Sequence, residues 1–78
     1  MQSLSELCAL VSDGEVSMVL KEYFSEFGTV ISADRFHAIE EAGQRCFLVK
    51  FENSTDAIMV ANQQKLRPFA FDCVLVDL

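Results

Sequence analysis

Residues 44–51 read Gln-Arg-Cys-Phe-Leu-Val-Lys-Phe (QRCFLVKF), and the reading of this stretch decides the fold. As an extended strand it sends successive side chains to opposite faces. Phe47, Val49 and Phe51 leave on one side and form a core face. Gln44, Cys46, Leu48 and Lys50 leave on the other, which is unusually apolar for a solvent surface and is therefore where a binding function is expected. A helix-like segment, 53–64, follows at once, and its small residues Ala57, Val60 and Ala61 make a narrow stripe suited to close packing on a sheet.

Working outward from there, Asn53 or Ser54 is placed to cap that second helix. The segment from Lys65 to Pro68 ends it, because proline cannot continue a helix interior. A last strand is expected over about 71–77, with Val74 and Val76 on one face and Cys73 and Leu75 on the other. On the N-terminal side, a polar turn at 40–43 precedes residues 44–51, and Val30, Ile31 and Phe36 mark a strand over 29–37. Gly28 is expected as the left-handed stop of a helix over 14–27, in which Val16, Val19, Leu20, Tyr23, Phe24 and Phe27 recur at helical spacing. Ser12 followed by Glu15 fits a capping box. Before it, Leu7, Ala9 and Val11 alternate with Glu6, Cys8 and Leu10 in a strand over 5–11, after a frayed start at 1–4. The order strand, helix, strand, strand, helix, strand predicts a single α+β domain over 1–78. Its expected form is a ferredoxin-like βαββαβ sandwich, a four-stranded antiparallel sheet with two helices on one face.

A chain of 78 residues buries only about 60 to 65% of its unfolded surface, so its core has to be dense. Seven phenylalanines and a 51% share of hydrophobic residues supply that density. The three cysteines, 8, 46 and 73, are odd in number and form no CxxC pair, and no signal-peptide pattern opens the chain. An intracellular, reduced setting, cytoplasmic or nuclear, follows as the expectation, with the cysteines acting as small apolar residues. His37 has no second ligand type close by, so no metal is expected, and three scattered glycines make no phosphate loop, so no cofactor is. Nor is there a nucleophile and base constellation, and the expectation is a non-enzyme with no small-molecule substrate. No apolar run reaches the roughly 18 residues a membrane span requires. The formal net charge is −6, with six cations at 21, 35, 45, 50, 65 and 67. A basic footprint of the kind that neutralises phosphates is missing.

Two stretches carry a family resemblance. Residues 20–36, LKEYFSEFGTVISADRF, resemble the first helix and second strand of an RNA recognition motif at Phe24, Phe27, Gly28 and Val30. Residues 46–62, CFLVKFENSTDAIMVAN, resemble its third strand and second helix, including the Asp56-Ala57 pair. The resemblance implies a role in RNA metabolism or ribonucleoprotein assembly. This chain departs from the family where bases are stacked: Cys46 and Leu48 replace the exposed aromatics of the octamer, Gln44 replaces its leading basic residue, and Cys8 falls at the stacking position of the first strand. Stacking is worth about 1–3 kcal/mol per base, so the scaffold is kept and its RNA platform is lost. Arg67, Pro68 and Phe69 resemble the Arg-x-Phe of a splicing-factor subgroup that binds a tryptophan-containing peptide against an acidic helix. Glu15 and Glu22 would supply the acids, although Val19 interrupts their ridge. The competing reading makes Arg67 and Pro68 a turn and packs Phe69 on the core.

These observations lead to a protein-protein interaction or self-association module. Its partner surface is the outward sheet face: Cys8, Leu10, Cys46, Leu48, Lys50, Cys73 and Leu75. A contiguous apolar patch of this kind on a soluble domain usually marks an interface. The alternative is weak single-stranded RNA binding through the sheet face and the basic residues Arg35, Arg45 and Lys50.

Overall fold

The computed structural model describes residues 12–37 and 45–78. The strand expected over 5–11, with Cys8 and Leu10, and the turn at 40–43 lie outside the described residues. The described chain runs α1 (Asp13–Phe24), β1 (Val30–Arg35), β2 (Cys46–Phe51), α2 (Ser54–Gln63), β3 (Arg67–Ala70) and β4 (Cys73–Asp77). The four strands form one antiparallel sheet in the order β1-β2-β4-β3, so the molecule is α+β.

Helix α1 starts where the sequence places it. Ser12 is the N-cap, and its hydroxyl accepts a hydrogen bond from the Glu15 backbone N–H at 3.3 Å, the Ser12 half of the capping box. Asp13 and Glu15 in the first turn and Lys21 in the last complement the helix dipole. The helix ends at Phe24, not 27, and Gly28 is not its left-handed stop: its backbone lies outside the left-handed region. What Gly28 provides is room, since a Cβ there would stand 2.6 Å from Asp56 Oδ2 and 2.7 Å from Asp56 Cβ.

Helix α2 starts at Asn53, whose side chain makes no cap bond to the helix backbone. Its amide instead donates to Asp56 Oδ2 at 3.5 Å. The left-handed stop expected at Gly28 occurs at the other helix, on Lys65, with φ 55°. Leu66 N–H donates to Ala61 C=O at 2.9 Å, the six-to-one bond of a Schellman ending, and Leu66 packs against the core. A lysine pays for the left-handed conformation that glycine adopts freely. Lys65→Gly is expected to stabilise the domain by roughly 0.5–1 kcal/mol, raising the thermal midpoint by a few degrees; an unchanged or lower midpoint counts against the assignment.

The largest departure from the expected order lies after α2. Residues 67–70, where one reading made Arg67 and Pro68 a turn, form strand β3, and the chain reverses through Phe71 and Asp72, expected in the last strand, into β4. In a split βαβ unit the strands on either side of α2 would run parallel with another strand between them. The additional reversal brings β4 back antiparallel and directly beside β2, with Phe47 opposite Val76, Leu48 opposite Leu75 and Val49 opposite Val74. Backbone bonds extend this pair at both ends, from Leu78 N–H to Arg45 C=O at 2.7 Å and from Phe51 N–H to Asp72 C=O at 2.7 Å. The described chain is thus helix, outer strand, inner strand, twice over. The inner strands carry matching sequences, CFLVK and CVLVD, about the central Leu48–Leu75 pair.

The alternation read from this stretch holds over Cys46–Phe51. Phe47, Val49 and Phe51 join Val74 and Val76, Ala33, and the buried faces of both helices (Val16, Leu20 and Phe24; Ala57, Val60 and Ala61) in one core cluster. Phe24 stands edge-on to Phe51 with ring centroids 6.1 Å apart, and the Tyr23 hydroxyl donates to Gln64 Oε1 at 3.0 Å, tying the ends of the two helices together. Among the described residues no helix is long and apolar enough to cross a membrane.

Candidate protein-interaction surface

The second sheet face divides into a buried part and an exposed part. Cys46, Cys73 and Leu75, expected on an open patch, are buried at 1%, 7% and 5% exposure; Leu48 is half-buried and Lys50 exposed. The described part of the patch is therefore narrower than expected. From the two outer strands, which are separated by β2 and β4, the rings of Phe36 and Phe69 meet edge to face at 5.0 Å.

Cys73 donates its thiol to Asp72 Oδ1 at 3.3 Å. Burial, and then this hydrogen bond to the carboxylate, push the thiol above its ordinary range, so it is protonated and unreactive at neutral pH. Cys73 carries a thiol and makes no disulfide.

The cations proposed for RNA are occupied within the chain. Arg35 Nη1 lies 3.1 Å from Asp13 Oδ2, and Arg45 Nη1 lies 3.4 Å from Asp13 Oδ1, so both guanidinium groups converge on the first turn of α1. Lys50 Nζ is 3.9 Å from Asp72 Oδ2. Arg67 Nη2 contacts both oxygens of Asp77 at 2.9 and 3.0 Å. By contrast, Glu15, Glu22, Glu26, Asp34 and Glu52 make no ion pair among the described residues, and all five are exposed.

The Arg35 guanidinium beside Asp13 holds its carboxyl below the ordinary value of 3.8. A depressed carboxyl stabilises the fold above its unfolded value and loses that contribution as pH falls through the lower folded value. Asp13→Asn is accordingly expected to lower the urea midpoint at pH 7, with the difference from the native chain shrinking below about pH 4. A difference that stays constant down to pH 2 would show that the ion cluster contributes nothing.

Arg67, Phe69, Glu15 and Glu22 are not brought together as a peptide pocket. Arg67 and Phe69 lie on β3 at one edge of the sheet, whereas α1, which carries the two glutamates, packs mainly on β1 at the other. Nor does Phe69 pack on the core: it is 50% exposed and its ring partner is Phe36.

Sequence reasoning missed Phe71. It stands in the two-residue turn between Ala70 and Cys73 and is 87% exposed. Tight hairpins are usually signalled by Asn-Gly or a similar pair with positive φ, but Phe71 and Asp72 carry no such signal and neither has positive φ. The strand irregularity between Pro68 and Ala70 absorbs the twist that such a turn mismatches. No family model, no curated protein and no solved structure matches the chain.

Proposed function

We propose that this chain is an interaction module that docks a protein partner, or a second copy of itself, and that it does no chemistry of its own. The supporting observation is the internal neutralisation of its cations: Arg35 and Arg45 are engaged by Asp13, and Lys50 by Asp72. A phosphate backbone would have to displace a carboxylate at each of these sites, against a net charge of −6. The contact surface of this reading is the open part of the second sheet face, Leu48 and Lys50, with the aromatic rim of Phe36 and Phe69. Both helices cover the opposite face, as in the ferredoxin-like sandwich of an atypical RNA recognition motif, with β4 in the inner place beside β2. The compartment of this reading is intracellular, from the cysteine usage, and the setting is RNA metabolism or ribonucleoprotein assembly, from the resemblance alone.

Two measurements test the reading. Leu48→Glu should leave the amide NMR spectrum of a folded domain while removing the partner captured from cell extract, or the self-association seen by sedimentation. A complex that survives the change removes Leu48 from the interface. Titration with a random single-stranded RNA pool at low salt, where electrostatic binding is strongest, should leave the amides of 45–50 unmoved. Salt-sensitive shifts at those positions would replace the protein reading with RNA binding.

A further inference from the structure

One end of the sheet carries two exposed apolar residues and a carboxylate. Phe71, at the tip of the β3–β4 turn, is 87% exposed, and Ile31, the additional residue where the β1–β2 register shifts between Val30 and Ser32, is 54% exposed. Glu52, just past the end of the strand between them, lies diagonal to Ile31. Its N–H donates to Thr29 C=O at 2.8 Å, on the β1 side, and the Phe51–Asp72 backbone bond places Glu52 opposite Phe71 in the continued register. Glu52 is exposed and makes no ion pair among the described residues. The nearest cation on β2, Lys50, is held by Asp72.

An exposed carboxylate with an exposed aromatic residue opposite it in register and an exposed aliphatic residue diagonal to it on the next strand matches one protein side chain better than any other. Arginine presents a planar cation that stacks on an aromatic face while its N–H groups form a two-pronged pair with a carboxylate, and it is more weakly hydrated than lysine. Lysine offers the charge without the plane. We propose that Ile31, Glu52 and Phe71 form a docking site for an arginine-bearing segment of a protein partner. The proposal rests on the protein-interaction reading and names the chemistry of the partner; charge complementarity with the acidic surface commits it to a cationic peptide.

The test is an amide NMR titration of the full chain with a capped Gly-Arg-Gly-Arg-Gly peptide, run beside its lysine counterpart and a single-stranded RNA pool. Shifts are expected at residues 29–31, 52, 71 and 72. The arginine peptide should bind roughly threefold or more tightly than the lysine one, and Glu52→Gln and Phe71→Ala should each remove that preference without altering the rest of the spectrum. Equal binding of the two peptides, shifts confined to the α1 acids Glu15, Glu22 and Glu26, or no shifts at all would overturn the site. If those outcomes accompany loss of partner capture in Leu48→Glu, the interaction module stands and only the arginine site falls. If RNA moves Arg45 and Lys50 instead, both fall.

Discussion

Phe51→Ala is expected to leave the domain largely unfolded at 25 °C. Phe51 has no exposed surface, stands edge-on to Phe24, and lies opposite Val30 on the neighbouring strand. Truncating a buried phenylalanine costs about 3–5 kcal/mol, because the transfer energy of the ring is lost and the surroundings collapse only partly into the cavity. A domain near this size rarely draws more than about 3–5 kcal/mol from its single core. The two figures are of the same size, so the native population should fall to a minority. Near-ultraviolet circular dichroism and amide dispersion are the measurements. The control is Met18→Ala, on the exposed side of α1, expected to stay within about 0.5 kcal/mol of the native chain. A cooperative melt for Phe51→Ala with a midpoint close to that of the control would mean that the Phe24–Phe51 contact does not anchor the core.

Gly28→Ala is the second large effect, a loss of roughly 1–3 kcal/mol from one methyl group. The added Cβ would lie 2.6 Å from Asp56 Oδ2 and 2.7 Å from both Cβ and Cγ of the same residue. The carboxylate can swing away, but the Asp56 Cβ is fixed to the first turn of α2, so the helix itself has to move. The segment after α1 would then be pushed off α2 just where β1 begins, and the strain would reach the Phe24–Phe27 contact. A double-mutant cycle with Asp56→Ala separates the causes. Removing the carboxylate should restore part of the loss but not all, because the Cβ contact remains. No restoration would mean that the carboxylate adds nothing to the cost and the fixed Asp56 Cβ alone sets it.

The second sheet face was legible only in part. The unusual apolarity of Cys46, Leu48, Cys73 and Leu75 is plain in the sequence, and the strand register puts these residues on a common face. Whether such a group is open or covered is a tertiary property, and alternation along one strand carries no information on that. Burial of Cys46, Cys73 and Leu75 leaves Leu48 and Lys50 as the accessible members. The exposure of Phe71 was hidden for another reason: a phenylalanine in an apolar, strand-like run reads as strand unless a turn residue interrupts it, and none does.

By itself the sequence determined the main features that depend on backbone period and on one near neighbour. The strand alternation of 46–51, the helical spacing of Val16, Leu20 and Phe24, and the Ser12 cap follow from backbone periods of 2 and 3.6 and from one side chain meeting a nearby N–H. Tertiary structure alone decided which strands lie side by side and which charges meet. Asp13 finds Arg35 and Arg45 at separations of 22 and 32 residues. β4 takes the inner place beside β2 because one more reversal, at a turn without glycine or asparagine, changes its direction. Ion pairing and strand order are set by the path of the whole chain, and that path is chosen by burying the largest apolar area at once, a quantity no local pattern contains.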